Sequence, residues 1–255
     1  MINTSGVLAV LDHGITLNWD DGPTLHKIGA QVRYHTAESA TSKTVRVTAS
    51  SRYSDQPDSF MVVQDGLRAS WVWQERAPGW TAQLAITNNG EDDIFLDGLD
   101  AIRIDTAFGG LFNIGAPPGL WQVSGDEAAA LLPAPTRTES QMTADDRDPA
   151  PSQTDISSTL GNKGFRKSRE LIVQPAASNR TRPPALMIRV LDVSLGASAG
   201  AMPTELALEA NGERFERFVA RYKTDGLLVA SGVGIATPEF WIIAGDDVAE
   251  LKNLS

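Results

Sequence analysis

Four groups of residues in this 255-residue chain have types and spacings that could do chemistry. Gly196-Ala197-Ser198-Ala199-Gly200 has the G-x-S-x-G form of a nucleophile elbow. That device needs a strand before the serine, a helix after it, and a histidine later in the chain. Here Pro203 and the alternating run TELALEA follow, and all three histidines, His13, His26 and His35, come earlier. The pentapeptide therefore reads as a glycine-rich turn between strands. The histidines match no metal-ligand spacing and read as surface residues in a turn and near strand ends. A sugar epimerase of the mutarotase type would need a histidine and a carboxylate facing one bound sugar, which keeps His26 and His35 as candidates. Asp145, Asp146 and Asp148 lack the glycine and distal glutamate of a calcium loop and read as a solvated acidic segment. Neither a metal nor a cofactor is expected.

The fourth group is the six tryptophans. An indole face packs against the apolar face of a sugar ring. Trp19, Trp71, Trp73 and Trp80 fall on alternating strand positions and read as core. Trp241 lies in a continuous apolar run that leaves its face open. Trp121 stands in a Gly/Pro-rich loop, LFNIGAPPGLWQVSG, where sugar contact and structural plug are both open readings.

The elements that must position these groups are strands. GVLAVL, ITLNW, HKIGAQVRY, KTVRVTAS, FMVVQ and LRASWVWQE alternate with turn residues, and Asp65-Gly66 is the strongest hairpin signal. WTAQLAITN has period two. NNGEDD then predicts a turn at Asn89-Gly90, with IFLDGLDAIRID returning as the second arm of a long hairpin and Gly98 as a bulge. Residues 128–162 are rich in Pro, Ser, Thr and Asp and read as a long excursion within one domain. RELIVQP, PALMIRVLDVS, TELALEA and ERFERFVARYK resume the strands, with Asn211-Gly212 and Asp225-Gly226 as turns, and PEFWIIAG is a further strand. The last ten residues predict a helix capped by Asp246 or Asp247, with Val248, Leu251 and Leu254 on one face. Such spacing predicts an all-β sandwich or barrel rather than βαβ units.

Composition narrows the functions. A formal charge of −10 without a basic block disfavours nucleic acid and anionic membrane as partners. The absence of cysteine removes disulfides and thiol chemistry. No segment reads as a signal peptide or a membrane span, so the expectation is a soluble, cytoplasmic protein.

The order of segments resembles a known family. WTAQLAITNNGEDDIFLDGLDAIRI is similar to the strand, N-x-G, strand hairpin near the front of melibiase-type α-galactosidases, glycoside hydrolase family 36 and its relatives. Gly119-Leu120-Trp121-Gln122-Val123-Ser124 stands where those enzymes carry a loop reading G-W-Q-S-W, with Leu120 and Val123 at variance. PALMIRVLDVS looks like their "lll-G-fl" strand. The stretch from TELALEA to PEFWIIAGDDVAEL looks like the segment ending "s-E-w-l-l-l-x-G-x-D" before a short helix, with Glu239 at its glutamate. The resemblance spans residues 60–255.

It implies one domain over residues 1–255: a large N-terminal β-sandwich (supersandwich) of the galactose-mutarotase-like type, with a catalytic barrel after residue 255. Retaining members use two barrel aspartates as nucleophile and acid/base, so this chain alone is expected to be inactive. In such enzymes the front domain packs on the barrel, helps assemble homo-oligomers and lends residues to the rim of a sugar pocket. By position, Trp121, Gln122, Asn113 and Asp126 are the rim candidates, and α-linked galactosides the implied ligands. A free-standing carbohydrate-binding module and a mutarotase-like epimerase are the alternatives.

Overall fold

The computed structural model describes residues 6–11, 14–20, 22–51, 58–125, 130–131, 164–167, 169–176, 184–191, 204–211 and 214–254. His13, Asp126, Ser198 with its glycines, the Asp145 cluster and the polar excursion at 133–162 lie outside the described residues.

The strands in chain order are β1 (Val7–Leu11), β2 (Gly14–Asn18), β3 (Thr24–Thr36), β4 (Ser39–Val47), β5 (Ser59–Gln64), β6 (Leu67–Arg76), β7 (Gly79–Asn88) and β8 (Ile94–Asp105). There follow β9 (Leu111–Asn113), β10 (Trp121–Gly125), β11 (Ala130–Leu131), β12 (Gly164–Lys167), β13 (Glu170–Pro175) and β14 (Ala185–Leu191). The last are β15 (Thr204–Asn211), β16 (Arg214–Tyr222), β17 (Leu227–Val229), β18 (Gly234–Ala236) and β19 (Glu239–Gly245), before the helix α1 (Val248–Lys252).

Two antiparallel sheets form a β-sandwich. The larger, of 11 strands, runs β1-β2-β3-β8-β16-β15-β12-β11, with β4 and β9 also on β3 and β17 on β8. The smaller, of 8 strands, runs β10-β13-β14-β19-β7-β6-β5, with β18 also on β7. Period-two alternation turns one face of each sheet inward. Ile28, Ala30, Val32 and Tyr34 of β3 meet Trp71, Trp73, Leu84, Phe240 and Ile242 from the other side in one buried cluster. The Trp71 indole donates to the carbonyl of Ala101 at 2.8 Å, tying β6 to β8 across the core.

Local signals behave as their chemistry requires. Asp65 (φ 50°) and Gly66 (φ 77°) close the β5–β6 hairpin, positive φ at both central residues being the tight-hairpin requirement. Asn211 and Arg214 are the end pair of β15 and β16. The pairing of β3 with β8 shifts register beside Gly98, as a bulge predicts. Asp247 caps α1 through the Ala249 amide, and Leu251 is buried against Trp241, Ile243, Met187 and Ile172 on the outer face of the smaller sheet. Trp241 is therefore buried by the helix rather than by the sandwich core.

One expectation is overturned. β7 and β8 do not form a hairpin: β7 pairs with β6, β19 and β18, whereas β8 pairs with β3, β16 and β17. NNGEDD carries the chain from one sheet to the other. Asn88 organises the crossing, donating its side-chain amide to the carbonyls of Asp92 (2.8 Å) and Val229 (3.0 Å) and accepting from the Gly90 amide. The positive φ values of the chain do not include Asn89 or Gly90. An Asx-type bond substitutes for left-handed turn geometry there.

Candidate functional site on the outer face of the larger sheet

Because Ile28, Ala30, Val32 and Tyr34 take the inward positions of β3, residues 29, 31, 33 and 35 face outward. On β8 the register shifts beside Gly98 and again near Ala101. These irregularities let Asp97, Asp100, Arg103 and Asp105 share the outward face despite uneven spacing. β16 adds Arg217 and Arg221, and β15 adds Glu205 and Glu209.

Asp100, Arg103, Asp105, Arg221, Glu205 and Lys223 form a continuous ionic network. Asp100, with no exposed surface, accepts from Arg103 at 3.2 Å and from both Nε and Nη2 of Arg221, the latter at 3.3 Å. Arg103 also reaches Asp105 at 2.7 Å. Glu205 faces Arg221 at 3.7 Å and Lys223 at 2.9 Å, and Glu209 holds Arg217 at 2.6 Å. Burial alone would lower the Arg221 pKa; the hydrogen bond and charge of Asp100, helped by Glu205 and Glu209, outweigh it and raise the value above the usual one. A carboxylate this buried is tolerated because two guanidinium groups compensate it.

At one end of this network a pocket of about 180 Å³ opens between β3, β4, β8 and the 3-10 turn Thr106–Phe108. Lys27 lines it from a bulged position with φ 52°. A Cβ on Gly109 would meet the Lys27 Nζ at 2.6 Å, so the glycine leaves room for the ammonium group. Arg46 lines the opposite side, its guanidinium stacked 3.9 Å above the Phe108 ring. Gln31, 6% exposed, lines the pocket, and its side-chain amide makes no hydrogen bond among the described residues. Thr48, Arg103 and Asp105 complete the polar wall.

The rim candidates do not converge. Trp121 is 1% exposed, donates its indole N–H to the Ala116 carbonyl at 2.7 Å, and packs against Phe112 and Phe215. Its indole is thus covered in this chain. Gln122 turns to the other face of β10, where Gln174 donates to it at 2.8 Å. Asn113 is exposed on β9 and accepts from the Gly115 amide, a local turn contact. None of the three lines the pocket, and Asp126 is not described. Glu239 faces Arg76 at 3.5 Å.

His26 and His35 also stay apart. His26 lies 2.6 Å from the Thr16 hydroxyl. His35 lies 2.9 Å from Asp97, which also accepts from Ser42, and stacks on Phe95. Among the described residues no group of three or more His, Asp or Glu side chains could hold a metal ion. No described helix is long and apolar enough to cross a membrane.

The comparisons with known proteins concern the fold. No family model and no curated protein matches the sequence. Among solved structures the chain is similar to the family-36 α-galactosidase AgaA of Geobacillus stearothermophilus, in a variant complexed with raffinose. That match has a TM-score of 0.48 at 9% identity and covers 85% of this chain and 30% of that one. AgaB of the same organism gives 0.46 at 10% identity over 85% of this chain and 30% of its own. A polysaccharide lyase gives 0.46 at 9% identity over 98% of this chain and 32% of its own. The chain spans about a third of the length of these structures.

Proposed function

We propose that this chain is a single, non-catalytic N-terminal β-sandwich domain of an α-galactosidase-like glycoside hydrolase. In this role it supports a catalytic barrel, takes part in homo-oligomer assembly and lends surface to the binding of α-linked galactosides. The observation that carries the reading is the C-terminal segment. Glu239–Gly245 is a central strand of the smaller sheet, between β14 and β7, and Asp247 then caps α1. This is the strand-then-helix order of the "s-E-w-l-l-l-x-G-x-D" segment that leads into the barrel in the family the sequence resembles.

The network on the larger sheet supports a non-catalytic role. Glycoside hydrolysis uses two carboxyl groups about 5–10 Å apart, one of them free to give up a proton. The most buried carboxylate here, Asp100, is clamped by two guanidinium groups instead. The test is incubation of the purified chain with a chromogenic α-galactoside. Release at the buffer rate is the expected result; turnover proportional to chain concentration contradicts the proposal.

The pocket beside Lys27 favours a second reading, a free-standing carbohydrate-binding module. That reading requires saturable sugar affinity in this chain with no barrel present.

A further inference from the structure

We infer that the pocket between β3, β4 and the Thr106–Phe108 turn binds a small sugar carrying a negative charge, such as a hexuronate or a sugar phosphate. The inference stands whether or not the chain supports a barrel.

Charge is the first argument. The chain carries a formal −10, yet this pocket gathers Lys27, Arg46 and Arg103 against one lining carboxylate, Asp105. Arg103 is committed to Asp100 and Asp105. Lys27 and Arg46 have no carboxylate partner among the described residues. Two uncompensated cations in one concave site, on a protein that otherwise repels anions, create a local field for an anion. Arg46 is held in place by Phe108, so part of the ordering cost of binding is already met.

The side-chain amide of Gln31 comes second. A primary amide offers two donors and an acceptor. Gln31 is 6% exposed and lines this pocket without a hydrogen-bond partner. With Thr48 and Asp105 in the same wall, it offers a polyol donors and acceptors that would orient it. Size is the third. About 180 Å³ is well below the ~300–1,000 Å³ of drug-sized sites, which fits a monosaccharide rather than a chain.

The test is a titration of the intact chain followed by heteronuclear NMR, reading the Gln31 side-chain amide as well as the backbone. The probes are galacturonate, galactose 6-phosphate, neutral galactose and inorganic phosphate. Saturable binding of either charged sugar, at least about tenfold tighter than galactose and than phosphate, is expected, with the Gln31 amide shifting. Which charged sugar binds tighter tells a carboxylate ligand from a phosphate one. Raising salt from about 0.02 to 0.5 M should weaken binding several-fold, a readout that needs no variant. Lys27→Met and Arg46→Met should each weaken it about tenfold with backbone spectra otherwise unchanged. Equal affinity for galactose, phosphate alone binding as tightly as the charged sugars, a salt-independent affinity, or no saturable binding would each overturn the inference.

Discussion

Arg221 and Asp100 are 121 residues apart in sequence and joined across β16 and β8 by two hydrogen bonds. The contact fixes the outer face of the larger sheet, because Asp100 passes the connection on to Arg103 and thence to Asp105. With Asp100 fully buried, its charge has no water to fall back on.

Removing that carboxylate leaves two guanidinium groups facing each other. Asp100→Ala is expected to destabilise the fold by about 3–5 kcal/mol, the usual cost of orphaning a buried charge. Urea unfolding of the variant measures it. Arg221's share should not vary between neutral and mildly alkaline pH. Its pKa is raised, so its contribution is fully present below the unfolded value and is lost only as the pH rises through the folded one.

Tyrosine ionisation sets the alkaline limit. Burial raises the pKa of Tyr222, and burial together with the charge of Asp65 raises that of Tyr34. The folded chain keeps these protons where the unfolded chain has released them. Stability from this source is therefore complete below about pH 10 and falls as the pH climbs through the folded values. An alkaline titration of phenolate absorbance should show both tyrosines ionising only as the fold opens. The Tyr34 hydroxyl is buried without a partner, so Tyr34→Phe should be neutral or stabilising by up to about 1 kcal/mol.

Trp121 packs against Phe112 and Phe215. Trp121→Ala should cost about 3–5 kcal/mol by emptying the space beside Phe112 and Phe215. It should leave sugar titrations at the Lys27 pocket unaltered. A lost sugar response with unchanged stability would restore the rim role.

What was legible in the sequence was local. Asp65-Gly66, the Asp247 cap and the period-two positions of Trp71 and Trp73 depend on neighbours a few residues away, and each takes its expected place. The partner of β7 depends on which sheet the next strand joins, and nothing in NNGEDD distinguishes a hairpin from a crossing. Trp241 read ambiguously because both faces of β19 are apolar, one for the core and one for α1. The Lys27 pocket was missed for the same kind of reason. It is assembled from residues 27–31, 46–48 and 103–108, and the bulge that aims Lys27 leaves no turn signature in HKIGAQVRY.

The His35–Asp97 contact gives the epimerase alternative a concrete form, since it places an imidazole against a carboxylate on the outer face. The supporting-domain account expects no acceleration of galactose anomer interconversion by this chain, measured by polarimetry. Acceleration abolished by His35→Ala would favour the epimerase.

The most direct measurement is the reading frame downstream of Ser255. The account predicts that it continues into a (β/α) barrel with aspartates at the ends of two strands, positioned as nucleophile and acid/base. A stop codon directly after Ser255 would contradict the supporting-domain claim and leave the pocket beside Lys27 as the chain's own business.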